Sequence, residues 1–87
     1  MISYMIVNRS LTHAQKTARV LARAGITALI SRLPRNLSAH GCGYGVKISE
    51  KQLSDALVVL EHSGISKDSI SIYVLYDDGT AGSEVAL

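Results

Sequence analysis

One cysteine stands in this chain, and the residues around it are the ones most suited to chemistry. The stretch Pro34-Arg35-Asn36-Leu37-Ser38-Ala39-His40-Gly41-Cys42-Gly43-Tyr44-Gly45 sets the thiol between two glycines, so no bulky neighbour need cover it. Arg32, Arg35, His40 and Lys47 are close in sequence, and no acidic residue occurs before Glu50. A free thiol has a pKa of about 8.5, and nearby cations lower it. The thiolate is the nucleophilic form, and a sulfur acceptor needs it. On this reading Cys42 is a candidate reactive thiolate. Arg35 stabilises the thiolate, with weaker support from His40 and Arg32. The bland reading stays open beside it. Free cysteines are among the most buried residue types, glycines can merely shape a hairpin, and His40, Arg32 and Arg35 can be solvated loop charges.

Other site chemistries find less support. A heavy-metal carrier would place a Cys-x-x-Cys pair at the first strand–helix junction, which here reads Val7-Asn8-Arg9-Ser10-Leu11-Thr12-His13. One thiol with scattered His13, His40 and His62 is a poor zinc set, so no metal and no cofactor is expected. There is no Gly-x-Ser-x-Gly and no phosphate-loop lysine motif. Gly43-Tyr44-Gly45-Val46-Lys47-Ile48 faintly resembles the aromatic strand of RNA-binding domains. That motif needs stacking aromatics, and the alternation turns Tyr44 to the same face as Val46 and Ile48. Nucleic acid is therefore not the expected partner.

The chain that must position these residues has 87 of them, 47% hydrophobic and 18% charged, which fits one folded domain without disulfides. The longest apolar run covers only residues 56–60, far short of a membrane span. Met1-Ile2-Ser3-Tyr4 shows no signal-peptide pattern, and a lone thiol suits a reducing cytoplasm. Charge is segregated. Residues 1–47 hold seven basic side chains (Arg9, Lys16, Arg19, Arg23, Arg32, Arg35, Lys47) and no acidic one. Residues 48–87 hold two basic and all seven acidic side chains. Such blocks give either neutralising neighbours in the fold or an anion-facing end.

Periodicity supplies the elements. Residues 4–7 read as a strand. Ser10 is an N-cap for a helix over 11–24, with apolar positions at Leu11, Ala14, Ala18, Leu21 and Ala22 and a stop at Gly25. Residues 26–33 read as a second strand that ends before Pro34. Tyr44, Val46 and Ile48 alternate in a third. Ser49 and Gln52 suggest a capping box for a helix over 50–63, with Leu53, Ala56, Leu57 and Leu60 inward and Gly64 as its stop. Residues 69–76 read as a fourth strand, with Ile70, Ile72 and Val74 on one face. The halves repeat at an offset of 39: Ser10 with Ser49, Ala14 with Leu53, Ala18 with Leu57, Leu21 with Leu60, Gly25 with Gly64, Ile26 with Ile65. The expectation is an α+β ferredoxin-like βαββαβ sandwich, a four-stranded antiparallel sheet with two helices on one face. Residues 1–76 would form the domain and 77–87 a mobile tail. Tyr73 and Leu75 would lie on the open sheet face, where a second copy or a partner could dock.

The residues named so far carry a resemblance. Tyr4-Met5-Ile6-Val7, the helix end Ala24-Gly25-Ile26, Pro34-Arg35 followed by Leu37-Ser38, Cys42-Gly43 before an apolar strand, and Ser63-Gly64-Ile65 together resemble the selenium/sulfur carrier protein-like family over about residues 4–76. The resemblance implies a chalcogen-bearing role for Cys42, persulfide chemistry, and protein donors and acceptors rather than a stand-alone enzyme. The alternative is a non-catalytic module of the same fold that senses a small anion through Arg32 and Arg35 or docks an acidic partner.

Overall fold

The computed structural model describes residues 2–8, 10–33, 44–65 and 67–85. Ser10, in extended backbone, caps helix α1 (Leu11–Arg23) by accepting the His13 N–H on its Oγ at 3.3 Å. The helix buries Ala14, Thr17 and Leu21. At its end the Gly25 N–H donates to the Ala22 carbonyl, and the Ile26 N–H reaches back to the Leu21 carbonyl. Gly25 has φ 82°, the left-handed conformation that this motif requires and glycine adopts without steric cost. Helix α2 (Leu53–His62) ends the same way 39 residues later. Gly64 has φ 80°, its N–H donates to the Glu61 carbonyl, and the Ile65 N–H to that of Leu60. In both helices the apolar residue after the glycine packs into the same core as the residue whose carbonyl it binds.

The start of α2 departs from expectation. Residues Glu50–Gln52 form a 3₁₀ turn, and Ser49 makes no side-chain bond to the helix backbone. Its Oγ instead donates to Gln52 Oε1 at 3.4 Å, so the two side chains of the expected capping box satisfy each other.

Five strands form one antiparallel sheet: β1 (Ser3–Val7), β2 (Leu29–Arg32), β3 (Tyr44–Ser49), β4 (Ser71–Leu75) and β5 (Ala81–Glu84), ordered β2-β3-β1-β4-β5. β1 lies in the middle, where Ile6 pairs with Val46 on one side and Ile72 on the other. The order of the first four strands is that of two interleaved βαβ units. The expected strand count of four is corrected to five, and the added strand comes from within residues 77–87. A turn delivers it. The Tyr76 N–H donates to the Thr80 carbonyl, the Gly79 N–H to the Tyr76 carbonyl, and Asp78 Oδ1 accepts both the N–H and the hydroxyl of Thr80. The hydroxyl bond and then the amide bond from Thr80 hold the Asp78 carboxyl below the usual aspartate range. Beyond β5 the Val85 N–H bonds the Ile72 carbonyl at 2.7 Å. A Cβ on Gly82 would lie 2.7 Å from the Tyr76 ring, so that ring covers the strand.

Alternation along the strands builds two apolar layers. Ile6, Val46, Ile48 and Ile72 meet Ala14, Leu21, Ala56 and Leu60 from the helices. Met5 and Leu75 gather with Leu33 in a second cluster, joined by half-buried Val7, Tyr73 and Ala81. The face expected to lie open therefore buries Leu75 and half-buries Tyr73 within a single copy. Gly45 lets the second cluster close down on the sheet. A Cβ there would stand 2.7 Å from the Ile6 carbonyl oxygen, 2.8 Å from Leu33 Cδ2 and 2.9 Å from Met5 Sδ. Backbone of the central strand cannot give way as a flexible side chain would. Gly45→Ala should therefore destabilise the domain by about 1–3 kcal/mol. Urea unfolding checks this, and Gly82→Ala, which meets only the movable Tyr76 ring, should cost less.

Candidate functional site

The candidate site lies at the end of the sheet where β2 stops and β3 begins. Arg32, the last residue of β2, pairs with Tyr44, the first of β3. Its guanidinium carbon lies 6.0 Å from the Tyr44 ring centroid, at the outer reach of a cation–π contact. Arg32 is exposed, so ring and solvent share its charge. Leu33 follows, buried against Met5 and above Gly45. The chain is thus fixed on both sides of residues 34–43, by Leu33 in the second cluster and by Tyr44 in the sheet. Arg35, His40 and Cys42 lie outside the described residues. Lys47, close to Cys42 in sequence, points to the opposite face from Tyr44, because odd and even positions of β3 alternate. The structure brings Arg32 and Tyr44 together and separates Lys47 from them.

The same end of the sheet holds a buried polar pair. β1 leaves the sheet through Asn8, whose Nδ2 donates to Thr17 Oγ1 at 3.0 Å beneath α1. Asn8 is only 6% exposed, and its Oδ1 has no hydrogen-bond partner among the described residues. This pair fixes the strand-to-helix connection beside the start of β3. The sequence reading missed it, since both residues pass for surface polar groups. One clue was available: Thr17 falls three residues after Ala14 and four before Leu21, on the buried stripe.

The remaining histidines are ordinary. His13 Nδ1 lies 2.8 Å from Ser10 Oγ at the exposed start of α1, and His62 ends α2 in solvent. Among the described residues no three His, Cys, Asp or Glu side chains are grouped to hold a metal ion. No described helix is long and apolar enough to cross a membrane.

A family model described as "Putative Se/S carrier protein-like" matches residues 3–71. The chain belongs to this family. The match runs from β1 to the first residue of β4 and includes the cysteine-bearing stretch between β2 and β3. No curated protein and no solved structure matches the chain. The family is described as Se/S carrier protein-like, and the one cysteine of this member is Cys42.

The Asn8–Thr17 pair gives a test of how firmly this end is built. Thr17→Val keeps the shape but leaves the Asn8 amide without its acceptor. It should cost about 1–3 kcal/mol in thermal or urea unfolding, whereas Thr17→Ser, which keeps the hydroxyl, should cost less.

Proposed function

We propose that the protein is a sulfur or selenium carrier that holds the transferred atom on Cys42. The observation that carries this reading is the family match, which spans the cysteine-bearing stretch. The sequence supports it with a single thiol flanked by glycines, among Arg32, Arg35 and His40. The strand order supports a ferredoxin-like fold with a fifth strand added outside β4. In this fold β2 and β3 are neighbours whose connecting stretch contains all three residues 35, 40 and 42.

The transfer is an exchange between chalcogens. The Cys42 thiolate attacks the terminal sulfur of a donor protein's persulfide. A new bond forms from Cys42 Sγ to that sulfur, and the donor's sulfur–sulfur bond breaks. The electron pair leaves with the donor cysteine as its thiolate. Cys42 then bears a persulfide, and the terminal sulfur keeps its own proton. With a selenium-loaded donor the same step gives a selenosulfide. A thiolate on an acceptor protein repeats the exchange and returns Cys42 to its starting state. The rate depends on the ionised fraction of the attacking thiol. Arg35 raises that fraction by stabilising negative charge, and His40 and Arg32 add to it. Lowering the thiol pKa by one unit takes about 1.4 kcal/mol, within the range of one cation at short distance.

Two variants test the reading. Incubated with a cysteine desulfurase and free cysteine, the wild-type chain should gain the mass of one sulfur atom, and Cys42→Ser should gain none while keeping its fold. Arg35→Ala should load about tenfold more slowly near neutral pH, for a shift of about one pKa unit, and approach the wild-type rate in alkali. A Cys42→Ser protein that still gains sulfur refutes the carrier reading. So does a wild-type thiol that no reagent reaches until the chain unfolds, and a docking or anion-sensing module then takes its place.

A further inference from the structure

The outward face of α1 carries a charge pattern that the fold does not explain. Lys16, Arg19 and Arg23 follow one another at steps of three and four residues. At about 100° per residue they fall within about 60° of one another around the helix, in a ridge about 10 Å long. That sector lies opposite Ala14, Thr17 and Leu21, the stripe buried against the sheet, and all three cations are exposed. α1 leads from the end of β1, beside Gly45, to the start of β2, beside Lys47. Arg19 and Arg23 therefore lie toward the end of the sheet away from the connection between β2 and β3.

Within the helix this pattern is unfavourable. Like charges three or four residues apart on a helix repel, and Arg19 has one such neighbour on each side. α1 contains no acidic residue to relieve them, and none of the three is ion-paired among the described residues. The region of α2 is arranged otherwise, with Lys51 standing four residues before Asp55.

The charge and the spacing specify what would cover the ridge. A second copy matches it poorly, because the exposed side of α2 and of the turn before it presents Lys51 and Val58 among Asp55 and Glu61. A lipid surface finds no apolar side chain on the ridge to take up, since the apolar side of α1 is committed to the core. A nucleic acid held by its phosphates draws its affinity from many such contacts, and the ridge offers three cations. A helix laid along α1 has the same repeat. Carboxylates on it at steps of three and four residues would meet each cation in turn, and the planar forks of Arg19 and Arg23 suit carboxylates.

We propose that the ridge of Lys16, Arg19 and Arg23 is a docking site for an acidic helix of a partner protein. The charges would speed encounter and select for acid. The inference rests on α1 and does not require Cys42 to carry a chalcogen.

The probe is an end-capped, stapled helical peptide with glutamates at steps of three and four residues on one face, added to isotope-labelled full-length protein. A peptide of the same composition with its glutamates spread around the helix is the control. The one-faced peptide should shift the resonances of Lys16, Arg19 and Arg23, and added salt should weaken it. Arg19→Glu should weaken binding about tenfold. The same variant sets an acid at pairing distance from both Lys16 and Arg23, so its melting temperature should equal or exceed that of the wild type. Binding should be unchanged in Cys42→Ser, which separates this proposal from the carrier reading. Silence of the ridge at millimolar peptide overturns the proposal, as does equal binding of the control peptide. A lower melting temperature of Arg19→Glu overturns it too, since Arg19 would then serve the fold. So does an oligonucleotide, or a vesicle containing phosphatidylserine, that shifts the same resonances at lower concentration than the peptide.

Discussion

The burial of β1 between two neighbours is the constraint on which the rest of the molecule depends. Its residues pair with β3 on one side and β4 on the other, and both of its faces are covered. Ile6 lies in the helix-side core and Met5 in the second cluster, and both are almost wholly out of water. Each such side chain contributes on the order of 1.5–3 kcal/mol through burial. Since β3 and β4 belong to the second half of the repeat, the first strand is flanked on both sides by strands of the second half. The halves are repeated in sequence and interleaved in space. The close approach at Gly45 follows from the same constraint, because Met5 of the central strand and Leu33 pack directly over it.

Much of this architecture was legible, and the reasons are local. Ser10, Gly25 and Gly64 mark helix ends because each solves a backbone hydrogen-bonding problem with its own atoms. The 39-residue offset holds in structure down to the individual carbonyls of Leu21 and Leu60. What was not legible depends on contacts distant in sequence. Ala81–Glu84 has no apolar alternation, and its strand exists because β4 offers an edge and the Asp78–Thr80 turn returns the chain to it. Thr17 looked like a surface residue because its partner, Asn8, belongs to another element. Ser49 and Gln52 have the right types and spacing for a capping box, but the 3₁₀ turn between them leaves their side chains to bond each other.

At the candidate site, sequence and structure contribute different parts. The sequence supplies the chemistry: a lone thiol, two flanking glycines, and cations with no acid nearby. The structure supplies the frame, in which buried Leu33 and strand-bound Tyr44 fix the two sides of the cysteine-bearing stretch. It also divides the cations that sequence proximity had grouped, with Arg32 on the helix side of the sheet and Lys47 on the other. The charge segregation then has a spatial meaning. The acid-free elements α1, β2 and β3 are neighbours, so the end of the chain's charge block coincides with one flank of the molecule. Under the proposed function the protein would meet both a donor and an acceptor, and a flank of one charge would speed encounter with partners of the other.

We propose that the folded protein turns the ordinary cysteine Cys42 into a thiolate at neutral pH. The direct measurement is the pH dependence of alkylation of Cys42 by iodoacetamide, in the folded chain and in the same chain unfolded in urea. In the unfolded chain the midpoint should lie near the free-thiol value of about 8.5. In the folded chain the account predicts a lower midpoint, with the reaction still fast enough to follow at neutral pH. A folded-state midpoint equal to or above the unfolded one, or a thiol that reacts only after unfolding, would contradict it.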